Sequence, residues 1–228
     1  MRQSRSVAAL VRQVRAALEP LANAERAAAQ RAYVRGQFVY LGLGTEQRRA
    51  ALKPLLRAYV PADKSDLREA ALALWAFEPR EFQYVAIELL ILRHGLLDTS
   101  DLRWLLELVQ QRSWWDSVDS LVKVVGPIVR RERAKGQRAM DRALGHKNFW
   151  VRRIAMLHQL GWRADTDTAR LFRYADTLAP EKEFFIRKAV GWALRDYAWH
   201  NPAAVRAYLN VAHDRLSGLT YREAGKHC

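Results

Sequence analysis

The chain has 228 residues, 50% of them hydrophobic, so it can bury a substantial core. Its 38 Lys and Arg against 24 Asp and Glu leave +14 at pH 7 and a pI near 10.4, a surplus that points to a polyanion, nucleic acid before an anionic membrane. The only cysteine is Cys228, which excludes a disulfide framework and a thiolate metal site and suits a reducing cytoplasm; no apolar run approaches the roughly 18 residues that cross a bilayer, and the basic N-terminus lacks the apolar stretch of a secretory signal.

Ala, Leu, Arg and Glu dominate, Gly and Pro are sparse, and strand-like alternation is almost absent, so the pattern is helical throughout. A first helix is expected over 6–18, with Val7, Leu10, Val11, Val14 and Leu18 on one stripe. Asn23 can cap a second that runs to about 35. Gly42 and Gly44 break the chain, and Thr45 caps a helix carrying Arg48, Arg49 and Lys53. Asp63-Lys64-Ser65 reads as a polar turn before a helix over 66–77. Pro79 opens the next, 80–93, which Gly95 stops. A helix over 100–111 precedes one over 114–131 and a basic segment over 130–135. The remaining helices are expected near 136–144, 148–160, 166–177, 182–199, 202–216 and 220–226.

The helices beginning near Glu46, Glu81, Trp115, Phe149 and Glu183 recur every 34 or 35 residues, each preceded by another helix. Two helices per repeat at that period predict an all-α fold, an α-solenoid forming a single domain over 1–228. The Trp/Tyr signature of tetratricopeptide repeats is missing, which favours HEAT-like repeats. In such a stack alternate helices line a concave surface. The second helix of each pair carries Arg48, Arg49, Arg152, Arg153, Arg187, Lys188 and Arg195, a basic groove able to follow a DNA backbone. Each of these cations taken singly fits a solvated surface equally well.

The six histidines form no zinc motif, and Gly42-Leu43-Gly44 is half of a dinucleotide fingerprint without its strand, hence a turn. There is no Walker A sequence and no G-x-S-x-G, so any reaction uses carboxylates, aromatics and positioning, with no cofactor and no metal. The stretch that offers such chemistry is Ser113-Trp114-Trp115-Asp116-Ser117-Val118-Asp119. On a helix, Trp115 and Asp119 share one face while Trp114 and Val118 turn to the core. An aromatic wall beside a fixed negative charge suits a flat or sugar-like group that is, or becomes, positively charged. Taken alone, Trp192 and Tyr33 fit either core or site. Asp116 reads as a helix cap or brace, and Phe82, Trp150 and Phe184, at equivalent repeat positions, as packing.

Several segments resemble, in order over roughly 25–227, the AlkD-type DNA alkylation repair glycosylases built from HEAT-like repeats. They include Tyr33-Val34-Arg35-Gly36-Gln37-Phe38, Arg80-Glu81-Phe82-Gln83-Tyr84, the Ser113–Asp119 stretch, Trp150-Val151-Arg152-Arg153, Gly191-Trp192-Ala193-Leu194-Arg195 and Arg222-Glu223-Ala224-Gly225-Lys226-His227. The resemblance implies release of positively charged alkylated purines, N3-methyladenine or N7-methylguanine, from duplex DNA without base flipping. It implies a site of Trp115, Asp119 and Trp192 with Tyr33 close by, and Arg153 and Arg195 as backbone anchors in a monomer. The run Leu43-Gly44-Thr45-Glu46-Gln47-Arg48 departs from the family, whose members often carry a proline near the start of that helix.

Such a substrate loses its base as a neutral purine and leaves positive charge on the deoxyribose, so no general acid is needed. A bare carboxylate about 4 Å away at an effective dielectric near 20 contributes roughly 4 kcal/mol, about three decades of rate. Asp119 is expected to supply that charge and to position water. The alternatives are a non-catalytic helical-repeat protein that binds distorted or branched DNA, and a protein-interaction scaffold. The enzymatic expectation requires Asp119 to face the groove without a permanent arginine partner that neutralises it; such a partner would leave only a nucleic-acid cradle.

Overall fold

The computed structural model describes residues 6–227, and among them all regular structure is helical, thirteen α-helices with short 3-10 turns and no strand. The chain divides into two compact units, with the break between Leu96 and Leu97. No helix among the described residues is long and apolar enough to cross a membrane.

The first unit holds α1 (Val7–Leu18), α2 (Ala24–Tyr33), α3 (Thr45–Ala58), α4 (Lys64–Trp75) and α5 (Arg80–Arg93). Ser6 caps α1 by accepting the Ala9 N–H, and Leu10, Val14 and Leu18 of the expected stripe are buried. Asn23 caps α2, which ends at Tyr33 because Arg35 and Gly36 turn to φ +57 and +76. Thr45 is the first residue of α3, not its cap; Gly44 takes that place without a side-chain bond. Asp63 accepts the N–H groups of Ser65 and Asp66, so the polar run starts α4 two residues before its expected position.

The loop between α2 and α3 hangs on Glu81, in the first turn of α5. Its buried carboxylate accepts the N–H groups of Leu41 (2.9 Å), Gly42 (2.9 Å) and Leu43 (3.2 Å), which would otherwise be unpaired donors. Gly42 sits at φ +89, and a Cβ there would lie 2.1 Å from the Asn23 carbonyl oxygen and 2.7 Å from the Ala27 nitrogen, both backbone atoms. Gly42→Ala should therefore destabilise the protein by about 3 kcal/mol, combining left-handed strain with overpacking. The urea midpoint measures it; a midpoint equal to wild type would mean that α2 can move aside at no cost.

The second unit holds α6 (Leu102–Val109), α7 (Trp115–Arg131), α8 (Arg133–Leu144), α9 (Phe149–Leu157), α10 (Thr168–Leu178), α11 (Phe184–Ala198), α12 (Pro202–Ala212) and α13 (Gly218–Ala224). Here α7, α9, α11 and α13 pack in series, and α8, α10 and α12 pack behind them. Between the layers lie Val118, Leu121, Val125, Ile154, Leu157, Ile186, Val190 and Leu194, all buried. The basic segment at 130–135 is helix on both sides of the single junction residue Glu132, since α8 already starts at Arg133. The α9 helix stops three residues short of the expected 160, and the chain then turns through Gly161 at φ +75. Gly191 lets α13 lie directly on α11: a Cβ there would come 2.6 Å from the Cβ of Glu223.

Candidate functional site

Each of α7, α9 and α11 opens with an adjacent aromatic pair, Trp114-Trp115, Phe149-Trp150 and Phe184-Phe185, at the same step of the repeat. Because the helices pack in series, the pairs meet. Trp114 lies 5.4 Å from Phe185 edge-on and 6.1 Å from Trp150, and Trp150 lies 4.8 Å from Phe185, centroid to centroid. This cluster fixes the start of α7. Trp115, one residue on, points elsewhere, and Asp119 follows one turn later on the same face.

Trp115 and Asp119 line a recess of about 390 Å³ within the second unit, with Trp192 of α11 and the rings of Phe184 and Phe185. Asp119 and Trp192 also line an adjoining recess of about 460 Å³, whose wall includes Lys123, Pro127 and Asp196. The carboxylate and the indole therefore stand where two hollows adjoin. The expected trio of Trp115, Asp119 and Trp192 is together at one place.

The expectation that Asp119 is free of an internal arginine is overturned. Arg153, from α9, donates from Nε to Oδ1 at 2.7 Å and from Nη2 to Oδ2 at 2.8 Å, and its Nη1 donates to the Phe185 carbonyl. One guanidinium thus ties α7, α9 and α11 together. Arg153 is only 4% exposed, and it lines the first recess with its guanidinium already engaged inside the protein. Burial nevertheless dominates the Asp119 carboxyl and pushes its pKa up; the hydrogen bonds and charge of Arg153 pull it down, and Asp116 adds to the upward push. The side chain keeps 18% of its surface.

Three other expected cations are likewise engaged. Arg48 is buried, pairs with Glu88 at 2.9 Å and stacks 4.7 Å over Tyr84, so it braces α3 on α5 in the first unit. Arg152 grips both oxygens of Glu181, at 2.6 and 2.8 Å, and the His146 and Lys147 carbonyls. These are structural pairs, formed because each arginine has a carboxylate from a neighbouring helix within reach, which residue types alone do not reveal. Arg187 donates to the Glu181 carbonyl. By contrast Lys188 and Arg195 line the first recess, and both are paired with Glu223 of α13. Tyr33, at the end of α2 in the first unit, is 74% exposed.

Phe82 and Trp150 are buried as packing residues, but Phe184 is 55% exposed and borders the recess, so its reading as packing is corrected. Phe184, Phe185 and Glu223 line the recess although the sequence did not mark them as candidates. The signal for the two phenylalanines was available: the doubled aromatics recur every 35 residues. Asp116 accepts the Ser117 N–H at 2.7 Å in the first turn of α7, a bracing position.

A model of the DNA alkylation repair enzyme family matches residues 14–228, and the chain belongs to that family. Among solved structures, the predicted DNA alkylation repair enzyme from Enterococcus faecalis is 32% identical with a TM-score of 0.83, over 90% of this chain and 96% of that one. The protein smu.31 from Streptococcus mutans UA159 shares the fold at 20% identity and a TM-score of 0.62, over 76% of this chain and 89% of its own. No curated protein matches by sequence.

Proposed function

We propose that the protein is a monofunctional DNA glycosylase, built of HEAT-like repeats, that hydrolyses the bond between deoxyribose and a positively charged alkylated purine in duplex DNA. The observation that carries this reading is the shared recess of Trp115, Asp119 and Trp192, with Lys188 and Arg195 beside it, in a chain of the DNA alkylation repair enzyme family. The C1′–N bond breaks with its electron pair going to the purine, which leaves neutral. The sugar becomes an oxocarbenium ion, water adds at C1′, and the proton of that water passes to Asp119 or to solvent. The two indoles hold the sugar and backbone by face contact. No base need leave the stack to reach an open recess.

The condition set from sequence, that a permanent arginine partner would leave only a nucleic-acid cradle, is too strict, because the pairing with Arg153 changes the size of the charge effect but not its sign. The guanidinium takes one lone pair from each oxygen and leaves the others. A cationic sugar about 4 Å from the carboxylate and about 8 Å from the guanidinium gains roughly 4 kcal/mol from one and loses roughly 2 to the other at a dielectric near 20. The net, about 2 kcal/mol, is about thirtyfold in rate, and positioning of water must supply the rest.

A contribution that modest is useful only on a labile bond. Duplex DNA carrying N3-methyladenine and N7-methylguanine should therefore release free base, while a uracil-containing duplex should release less than about 1% as much under the same conditions. Chromatography of the released bases tests this, and equal release from uracil would refute the cationic-leaving-group mechanism. The Asp119–Arg153 pair is the specific observation that favours a second reading, a non-catalytic DNA-binding member of the family. Tight binding of methylated duplex with no release would select it.

A further inference from the structure

Glu223 is 5% exposed, and its carboxylate is approached by three cations from separate places: Lys188 and Arg195 on α11, and Lys226 beyond the end of α13. Lys188 Nζ lies 2.9 Å and Lys226 Nζ 3.0 Å from the same oxygen, Oε2, while Arg195 takes Oε1. One negative charge thus serves three positive ones, leaving a local surplus of two. The excess lies at the wall of the recess that holds Asp119 and Trp192. Lys188 keeps 36% and Lys226 53% of their side-chain surface, whereas Glu223 keeps 6%.

The backbone is arranged for this. Without a Cβ at Gly191, the residue before Trp192, α13 approaches close enough for Glu223 to reach across α11. The Thr220 hydroxyl donates to the Arg187 carbonyl at 3.1 Å and fixes the register of the two helices.

We propose that Glu223 is a positioning residue that gathers Lys188, Arg195 and Lys226 into one binding site for a backbone phosphodiester beside the Trp192–Asp119 recess. This inference rests on the glycosylase reading for its catalytic consequence. A phosphate group answers the surplus that Glu223 leaves unmatched, and by seating there it sets the adjoining sugar against Trp192. The cations also disfavour one another: burial first, then the charges of Lys226, Arg195 and Arg153, push the Lys188 pKa down, a strain that an incoming anion relieves.

Glu223→Gln separates positioning from bulk electrostatics because the two act in opposite directions. Removing a negative charge makes the surface more cationic, so fluorescence anisotropy with an undamaged duplex should show affinity equal to or tighter than wild type. The single-turnover release of N7-methylguanine should nevertheless fall about tenfold, because the three cations lose their common anchor. Release at the wild-type rate would overturn the proposal. Lys188→Ala, at a partly exposed position, should lower the slope of log Kd against log salt by about 0.9, the contribution of one phosphate contact. An unchanged slope would also overturn it. If Glu223→Gln does not melt cooperatively, the Lys188→Ala slope decides alone. If the wild-type protein binds DNA but releases no base, the glycosylase reading fails and the same slope still decides whether the phosphate site exists.

Discussion

Asp119→Asn should release N7-methylguanine about a thousandfold more slowly than wild type in single-turnover assays, with affinity for undamaged duplex changed less than threefold. The factor is the lost attraction of the carboxylate, roughly 4 kcal/mol, because the Arg153 guanidinium opposes the cationic sugar equally in both proteins and the attacking water can still lose its proton to solvent. Asn keeps one oxygen to accept from Arg153, so the fold should persist and a melting curve serves as control. The pH profile supplies a second readout. Burial raises the Asp119 pKa, so the reactive carboxylate is lost as pH falls through a value above the ordinary aspartate range near about 3.9. The wild-type rate should therefore drop on the acid side with a midpoint above that value, and the limb should vanish in Asp119→Asn. A variant with wild-type turnover would remove Asp119 from the mechanism and leave the aromatic walls alone to account for it.

Much of the local structure was legible because the sequence states it locally. Asn23 accepts from the first turn of its helix as expected, Ser6 and Asp63 prove to be caps where a helix start and a polar turn were expected, and the stripe of α1 is buried along Leu10, Val14 and Leu18. The spacing of Trp115 and Asp119 likewise fixes a shared face once the segment is helical. Partner choice was not legible. Arg48, Arg152 and Arg153 read as a phosphate-binding row, yet each meets a carboxylate about a repeat away in sequence, Glu88, Glu181 and Asp119. Helix packing brings such pairs together, and no local pattern distinguishes an arginine facing solvent from one facing the next helix. Glu223 was missed for the same reason: its importance lies in what α11 presents to it, and only the close approach over Gly191 creates that contact. Sequence periodicity locates the faces of helices well; which charges cancel across those faces is a property of tertiary packing.

Arg153→Ala should be the most destabilising single change at the site, costing about 3 to 5 kcal/mol, or roughly 10 °C in Tm for a chain of this length. The arginine side chain is 5% exposed and makes bonds to α7 and α11 from its seat on α9. Its removal leaves the Phe185 carbonyl and, more seriously, the Asp119 carboxylate without their donor in a partly buried place. Burial already raises the Asp119 pKa with the guanidinium present; without that opposing influence the pKa should rise further. The sign of the pH dependence follows. A carboxyl whose pKa is higher folded than unfolded binds more protons in the folded state, so its destabilising effect is full above the folded pKa, fades as pH falls from there toward the unfolded value, and is gone below it. The gap in stability between Arg153→Ala and wild type should consequently narrow on acidification. It should narrow also in the double variant Asp119→Asn with Arg153→Ala, where no charge is left stranded, and the coupling in that double-mutant cycle should exceed about 2 kcal/mol. If Arg153→Ala melts within about 2 °C of wild type, the pair is a surface-like contact and the guanidinium is free to leave Asp119 when DNA arrives. If the large loss is seen, Arg153 is a fixed strut, and the carboxylate that meets the sugar does so as one end of a permanent ion pair.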